Sequence, residues 1–472
     1  MDKKQNTGSR IQWGRMIKKL NPYTVQKGFR YLKHYGPKEF WIRLHERFEP
    51  EEVPYGPWYE AYVPDEAELN RQRRSRLDYE PLISVAVPAY RTPKLFLSQM
   101  LDSLLAQTYK NWELCIANGS PQDEDMREVL EEYSARDKRI CVQDLTENLG
   151  IAGNTNAALS MASGEFAGIL DHDDLLAPNA LFEIAKALGR DRSLDAVYTD
   201  EDKVTTDLKE HFQPHLKPDF NLDLLRSNNY ICHFFVVRRE ILKKVGGFRQ
   251  EFDGAQDYDF IFRCVEQAEK VGHIPEILYH WRTHKASTAD NPASKMYAFD
   301  AGKRAIEAHL KRTGVKGTVS HTPDLGFYRV TYPVQGEPLI SVIIPNKDEK
   351  ESLETCIRSI RDKTEYENYE IIIVENNSTT EEIFEYYREL SRDEKIRVLY
   401  WKEGFNYSAL NNFGVRESRG DYLLFLNNDT EVLSGDWLTV MTADCQRENI
   451  GMVGVKLCYP DMTLQHCGVM LG

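Results

Sequence analysis

The sequence lacks any apolar run that approaches the ~18 residues needed to span a bilayer as a helix. It also lacks a secretion signal, because its first residues, Met1-Asp2-Lys3-Lys4-Gln5, lead into polar sequence without an apolar core. These two absences predict a protein that neither spans a membrane nor is secreted by a conventional signal.

Paired cysteines are missing too, since none of the eight cysteines stands in a Cys-x-x-Cys pattern. They are scattered through apolar stretches, as buried free thiols usually are. We therefore expect reduced thiols and a cytoplasmic location, with peripheral contact at the inner face of the cell membrane left open.

The chain has no excess of basic residues. Its 60 Lys and Arg residues are outnumbered by 74 Asp and Glu, which gives a net charge of −14 at pH 7. Nucleic-acid binders gain affinity by neutralising phosphates with basic side chains, so we expect no nucleic-acid partner. An acidic protein that handles a phosphate-bearing ligand would recruit a metal ion to bridge the two.

A chain of 472 residues is too long for one hydrophobic core, because single cores stop growing near ~250–300 residues. Residues 1–80 are basic and aromatic up to Phe48 and then acidic with several prolines. We predict short helices followed by an extended linker. The apolar residues between Trp13 and Phe48 can lie on an anionic membrane surface, but we favour packing on the next domain.

Two copies of one unit follow this segment. Residues 81–88 (PLISVAVP) match residues 338–345 (PLISVIIP) with a shift of 257, and Asn156 matches Asn412 with a shift of 256. A near-constant offset over about ninety residues indicates a duplicated domain. We place the copies at 81–325 and 326–472.

The second copy is shorter than the first. Gly472 corresponds to position 216 of the first copy, so the later part of the first copy has no counterpart. We therefore expect the second domain to be incomplete, ending within its nucleotide-binding half.

Within the first copy, short apolar runs alternate with amphipathic ones. The runs predict strands at 83–88, 112–117, 140–143 and 166–170, and helices at 95–107, 123–136 and 155–162. Near-continuous apolar strands separated by helices predict an α/β fold, with a mainly parallel sheet covered on both faces. Ligands of such sheets bind at the carboxyl ends of the strands.

The apolar run Phe166 to Leu170 ends in Asp171-His172-Asp173-Asp174. Carboxylates on a turn after a strand can hold one divalent cation, and hard oxygen donors suit Mg²⁺ or Mn²⁺. The alternative is a solvated turn in which Asp173 or Asp174 caps a helix that starts near Pro178. We favour the metal site because the turn follows a buried strand in a βα repeat.

Two later segments add ionisable groups. Gln256-Asp257-Tyr258-Asp259 opens a helix, where residues two apart face different sides, so only one of the two carboxylates can face a ligand. A helix N-terminus favours the ionised form that a general base needs, although both carboxylates can instead serve only the helix dipole.

In Tyr279-His280-Trp281-Arg282-Thr283-His284, His280 can be a third metal ligand and Arg282 can bind a phosphate. A lone histidine is more often structural.

The order of these motifs resembles a family 2 glycosyltransferase with the GT-A fold. The motifs are Asn118-Gly119-Ser120, Asp171-His172-Asp173, Gln256-Asp257-Tyr258-Asp259 and His280-Trp281-Arg282. In particular the chain is similar to bacterial rhamnosyltransferase-like enzymes of O-antigen, capsule and cell-wall polysaccharide assembly, which often carry two such domains in tandem. The resemblance covers residues 81–472.

The resemblance implies a role for each matching position. Nucleotide-sugar-binding roles fall on Pro88, Ala89, Tyr90, Asn118, Asn156, Asp171 and Arg282. Metal-binding roles for Mn²⁺ or Mg²⁺ fall on Asp173 (of the DXD motif) and His280, and the catalytic base falls on Asp257. Two departures concern the donor: Asn118 stands where an Asp commonly contacts the nucleobase, and Thr155 stands where an Arg is often found.

The implied reaction moves a sugar, rhamnose among the candidates, from a nucleoside-diphosphate donor to a lipid-linked growing glycan. A single base opposite the leaving group predicts inversion of the anomeric centre, by analogy with inverting glycosidases. We expect Asp173, Asp257 and His280 to line one cavity.

Two other classes remain as alternatives. A nucleotidyltransferase acting on sugar phosphates would be expected to show a Gly-rich, basic loop after the first strand, which residues 88–93 do not form. A non-catalytic glycan-binding scaffold would need neither Asp257 nor a metal. A dehydrogenase is disfavoured because no Gly-x-Gly-x-x-Gly follows the first strand.

Overall fold

The computed structural model describes residues 54–284 and 296–468, with seven further positions between 32 and 44. The basic aromatic stretch between Trp13 and Phe48 lies almost entirely outside the described residues. The chain divides into two compact units, one of residues 1–309 with 323–327 and the other of residues 310–322 with 328–472. Among the residues that the structure describes, no helix is long and apolar enough to cross a membrane.

The first unit alternates helices and strands. Its helices are α1 (Tyr55–Tyr62), α2 (Glu66–Arg74), α3 (Lys94–Leu105), α4 (Glu124–Arg136), α5 (Gly150–Met161), α6 (Ala180–Arg190), α7 (Leu222–Ser227), α8 (Arg239–Val245) and α9 (Gln256–Val265). Its strands are β1 (Ile83–Ala89), β2 (Trp112–Asn118), β3 (Ile140–Asp144), β4 (Phe166–Ile169), β5 (Leu175–Leu176), β6 (Ala196–Thr205), β7 (His211–His215), β8 (Phe235–Arg238) and β9 (Val271–Thr283). Helix α10 (Met296–Thr313) follows.

These strands form one sheet in the order β3-β2-β1-β4-β8-β6-β9-β5, with β7 paired to β6. Strands β3, β2, β1 and β4 are parallel, whereas β8 runs antiparallel to both β4 and β6. The predicted α/β fold is confirmed, but the half of the sheet beyond β4 is mixed. Within that half, β9 pairs parallel with β6 and antiparallel with β5.

Alternation along β1 explains how the sheet is covered. Ile83, Val85 and Val87 join one apolar core with residues of α3, α4 and α6, so the intervening residues face the layer that contains α5. The four predicted strands and the first two predicted helices lie within two residues of their expected bounds. Helix α5 starts five residues earlier than expected, at Gly150, where a φ of 74° suits glycine.

The second unit repeats the parallel half of this design. Its main elements are β12 (Ile340–Asn346), α11 (Lys350–Lys363), β13 (Tyr369–Asn376), α12 (Glu381–Leu390), β14 (Ile396–Trp401), α13 (Tyr407–Glu417), β15 (Tyr422–Phe425) and α14 (Trp437–Cys445). The strands pair in the order β14-β13-β12-β15, all parallel. Two short hairpins complete it: β10 (Thr318–His321) with β11 (Tyr328–Thr331), and β16 (Leu457–Cys458) with β17 (Leu464–His466).

The duplication extends to individual hydrogen bonds. Ser84 donates to Glu113 Oε1 at 2.6 Å in the first unit, and Ser341 donates to Glu370 Oε1 at 2.7 Å in the second. Each serine also accepts a glycine N–H from the start of the next parallel strand, at 2.8 and 2.9 Å. The same buried polar link therefore fixes the first strand to its neighbours in both units.

Candidate active site

The carboxyl ends of three parallel strands bring several predicted residues to one edge of the sheet. The register places Ala89, at the end of β1, beside Asn118, at the end of β2. On the other side of β1, the Leu170 N–H donates to the Ala86 carbonyl at 3.0 Å. Pro88, Ala89, Tyr90, Asn118 and Asp171 therefore converge, as expected for ligand binding to such a sheet.

Asn118 is buried and both ends of its amide are already in use. Its Oδ1 accepts the Ser120 N–H at 2.9 Å, and its Nδ2 donates to Asp144 Oδ1 at 2.7 Å. The accessible acceptor at this strand end is therefore the exposed Asp144. The sequence feature that could have identified Asp144 is its position directly after the predicted strand 140–143.

Three carboxylates crowd this edge. Burial raises the pKa of Asp171, and the nearby carboxylates of Asp173 and Asp257 raise it further, while His233 and His172 oppose the rise. Burial is the largest of these causes, and the two histidines offset the two carboxylates.

The histidine that meets Asp173 is His284. Its Nε2 lies 2.8 Å from Asp173 Oδ2. His280, the predicted ligand, instead places Nδ1 2.6 Å from Asp202 Oδ1 and Nε2 3.2 Å from the Tyr59 hydroxyl. The structure does not bring His280 to Asp173, because His280 lies inside β9, which continues to Thr283.

Arg282 holds the turn that carries Asp173 rather than reaching into the space where a ligand would bind. The residue is fully buried. Its Nε donates to the carbonyl of Asp173 at 2.6 Å, its Nη1 donates to Gln99 Oε1 at 2.5 Å, and its guanidinium lies over the Phe96 ring. The expectation that Arg282 contacts the donor therefore does not match its position.

Asp174 is buried directly under the same turn. It accepts hydrogen bonds from the Tyr279 hydroxyl at 2.5 Å and from the Arg282 N–H at 2.8 Å. Burial raises the pKa of Asp174 well above its usual value, and the charges of Asp173 and Asp171 add to the rise. The next helix, α6, begins only at Ala180, so neither aspartate caps it.

Asp257 and Asp259 face different sides of α9. Asp257 is partly exposed and accepts from Asn229 Nδ2 at 2.8 Å. Asp259 is fully buried and pairs with Arg249 Nε at 3.0 Å and Arg263 Nε at 2.9 Å. Of the two, only Asp257 is placed to act on a ligand.

A buried network that sequence reasoning missed lies beside Asp171. Burial alone would raise the pKa of Glu201, but Lys217 and the histidines His215 and His233 hold it well below its usual value. Burial alone would lower the pKa of His233, but Cys232 and Glu201 raise it well above its usual value. The His233 ring lies between two carboxylates, with Nδ1 3.2 Å from Glu201 Oε2 and Nε2 3.7 Å from Asp171 Oδ2.

Asn156 is engaged by backbone rather than left open to a ligand. Its Nδ2 donates to the Phe248 carbonyl at 2.9 Å, and its Oδ1 accepts the Phe248 N–H at 2.6 Å. The side chain thus ties α5 to the turn after α8. Its predicted contact with the nucleotide sugar finds no support in this geometry.

We expect Asn156→Ala to lower the free energy of unfolding by about 1–3 kcal/mol, because it leaves both backbone groups of the buried Phe248 unpaired. Chemical denaturation monitored by circular dichroism would measure the change. The donor KM is expected to stay unchanged. A large rise in that KM, without a loss of stability, would indicate that Asn156 contacts the donor after all.

A cavity of about 460 Å³ lies at the opposite ends of the strands. Its lining includes Leu82, Ser163, Glu165 and Arg238, which precede β1 and β4 or end β8. Parallel sheets bind ligands at their carboxyl ends, so we do not place the active site in this cavity.

Comparison with known proteins identifies relatives of this chain. A Sinorhizobium fredii protein described as uncharacterized protein y4gI is 41% identical over 401 residues, which cover 84% of this chain and 44% of that protein. The O-antigen biosynthesis protein RfbC of Myxococcus xanthus is 38% identical over 424 residues, which cover 90% of this chain and 33% of that protein. The chain thus spans less than half the length of either relative.

Among solved structures, S. aureus TarS 1-349 in complex with UDP-GlcNAc is similar with a TM-score of 0.41 and 21% identity. The match covers 48% of this chain and 66% of that one.

The profile described as "Glycosyl transferase family 2" matches residues 84–246 and 341–465, which is more than half of the chain. Both matched ranges begin inside the first strand of a duplicated unit, at Ser84 in β1 and Ser341 in β12. The resemblance noted in the sequence is thereby confirmed, and the chain belongs to glycosyl transferase family 2.

Proposed function

We propose that the first unit transfers a sugar from a nucleoside-diphosphate donor to a hydroxyl of a growing cell-surface glycan. The observation that carries this proposal is that Asp171 and Asp257 both lie against one short segment at this edge of the sheet, with Asp257 Oδ2 2.8 Å from Asn229 Nδ2 and Asp171 Oδ2 3.7 Å from His233 Nε2. A relative described as an O-antigen biosynthesis protein supports a polysaccharide product. A rhamnosyl donor is one candidate.

The residues at this edge fit a divalent cation. Asp173 supplies a carboxylate and His284 an imidazole whose Nε2 lies 2.8 Å from Asp173 Oδ2, and the Asp171 carboxylate belongs to the same turn. Carboxylate oxygens suit Mg²⁺ and Mn²⁺, and imidazole suits transition metals, so the set favours Mn²⁺. When bound, such a cation stabilises the negative charge of a departing diphosphate by several kcal/mol.

The protein's own groups complete an inverting displacement. The acceptor oxygen forms a bond to the anomeric carbon while the bond from that carbon to the diphosphate oxygen breaks, and the electron pair leaves with the diphosphate. The acceptor proton passes to the Asp257 carboxylate. A positioned base of this kind contributes ~10²- to 10⁴-fold.

We assign this activity to residues 81–325, and we infer that residues 326–472 form a second domain of the same type. A lipid-linked acceptor would bring the protein to the inner face of the membrane. The basic aromatic part of residues 1–80, up to Phe48, is the segment that such contact would use, in place of the favoured packing on the next domain.

The reaction class can be read from the product released. A panel of UDP-, GDP- and dTDP-sugars with MnCl₂ should yield a nucleoside diphosphate, with or without added acceptor. Released pyrophosphate would indicate a nucleotidyltransferase, and no release from any donor would favour a glycan-binding scaffold. Mass spectrometry of the glycan product identifies the sugar.

The second unit is expected not to contribute to this activity. Asp429 occupies the position that matches Asp173, but the position matching Asp171 is Asn427. We expect Asp429→Ala to keep nucleoside diphosphate release within about twofold of the unaltered chain. A tenfold loss would relocate the active site.

A further inference from the structure

One short segment contacts two of the three carboxylates that the proposed reaction uses, Asp257 and Asp171. Residues 229–233 lie between α7 and β8. At one end Asn229 Nδ2 donates to Asp257 Oδ2 at 2.8 Å, and at the other end His233 Nε2 lies 3.7 Å from Asp171 Oδ2.

The orientation of the Asn229 amide is fixed by the same segment. Its Oδ1 accepts the backbone N–H of Cys232 at 3.4 Å. An amide oxygen accepts and an amide nitrogen donates, so this contact turns Nδ2 toward Asp257. One oxygen of Asp257 is thereby held in place.

The His233 ring is fixed by two contacts. Its Nδ1 lies 3.2 Å from Glu201 Oε2, and its face stacks on Tyr279 with 4.6 Å between ring centroids and 9° between planes. These contacts aim Nε2 at Asp171.

Lys217 holds the segment from inside the fold. Its side chain is fully buried, and its Nζ donates to the backbone carbonyls of Ile231, at 2.7 Å, and of His233. The same Nζ lies 3.4 Å from Glu201 Oε2. A buried ion pair thus fixes the backbone from which both Asn229 and His233 project.

We propose that residues 229–233 are a positioning segment, in which Asn229 orients Asp257 for the acceptor and His233 orients Asp171 for the donor. The inference rests on the proposed function, since it takes Asp257 as the base. Each residue acts through the carboxylate that it contacts. The two residues therefore control different kinetic constants.

Asn229 is tested by two variants, Asn229→Ala and the equally sized Asn229→Asp. The rate of nucleoside diphosphate release is measured with the fastest donor of the UDP-, GDP- and dTDP-sugar panel. We expect kcat to fall about tenfold or more, further in Asn229→Asp than in Asn229→Ala, while the donor KM stays within about twofold. The neighbouring Asn228→Ala is the matched control, and both constants should stay within about twofold.

His233 is tested by variants that separate stacking from hydrogen bonding. His233→Phe keeps a ring against Tyr279 but removes the N–H, so we expect the donor KM to rise about tenfold with a smaller change in kcat. His233→Gln keeps an N–H donor and should recover the donor KM to within about threefold. Calorimetry with the matching nucleoside diphosphate and MnCl₂ should show the same order of affinities.

The outcomes separate this inference from the proposed function. An Asn229→Ala enzyme with unchanged kcat beside an inactive Asp257→Asn enzyme would overturn the inference alone. An active Asp257→Asn enzyme would remove the base and overturn both. If the Asn229 and His233 variants all show a lower kcat, a higher donor KM and a lower melting temperature together, the segment is structural, contrary to the inference.

Discussion

Asp173→Ala is expected to abolish sugar transfer, with a loss of at least about 10³-fold in the rate of nucleoside diphosphate release. We propose the Asp173 carboxylate as a metal ligand, and its Oδ2 lies 2.8 Å from His284 Nε2. Without it, the charge of the departing diphosphate loses several kcal/mol of stabilisation. Product formation by mass spectrometry over a range of Mn²⁺ concentrations would measure the loss.

The fold of this variant should be retained. Arg282 holds the turn through the Asp173 carbonyl, at 2.6 Å, which the substitution leaves in place. The melting temperature is therefore expected to change little. Asp429→Ala, at the matching position of the second unit, is the control for removing an aspartate after such a strand. An Asp173→Ala enzyme with ordinary turnover would show that the reaction needs no cation at this position.

Asp257→Asn is expected to keep donor binding and to lose about 10²- to 10⁴-fold in turnover. An asparagine has the same shape, and its amide oxygen can still accept from Asn229 Nδ2, now 2.8 Å from the carboxylate. It cannot take a proton from an acceptor hydroxyl. Calorimetry for the donor and steady-state rates for turnover separate the two effects.

Asp259→Asn provides the contrast on the same helix. Asp259 pairs with Arg249 and Arg263 inside the fold, so its replacement should lower the free energy of unfolding by about 3 kcal/mol or more. Donor KM and kcat per folded molecule should be unaffected. If Asp257→Asn instead resembled Asp259→Asn, with lower stability and normal turnover, the base would have to be sought elsewhere.

Much of the parallel half of the sheet could be predicted from the sequence, because its signals are local. Continuous apolar runs such as Ile83–Ala89 need burial on both faces, and the repeat offset supplied a second copy of each signal. The mixed half was harder to predict. Strand β9 extends to Thr283 through His280 and Arg282, polar residues whose burial depends on partners far away in the sequence.

The difference between local signals and long-range contacts also explains which residues of the candidate site could be predicted. Asp171, Asp173 and Asp257 were visible because they follow strand ends or open a helix, which a single sequence reveals. The roles of Glu201, Lys217 and His233 depend on contacts across strands, and no spacing rule predicts those. His280 lies inside β9 and His284 directly follows it, so choosing between them required the position at which the strand ends.

The support beneath Asp173 has a consequence for how ligands arrive. Arg282, Asp174 and Tyr279 are buried and already joined by hydrogen bonds to each other or to the turn itself. The loop that we propose to hold the cation is thus ordered by the fold itself, so little backbone ordering is left for the binding step. We therefore expect the cation and the nucleotide sugar to bind without an obligatory order, because neither has to order this loop for the other.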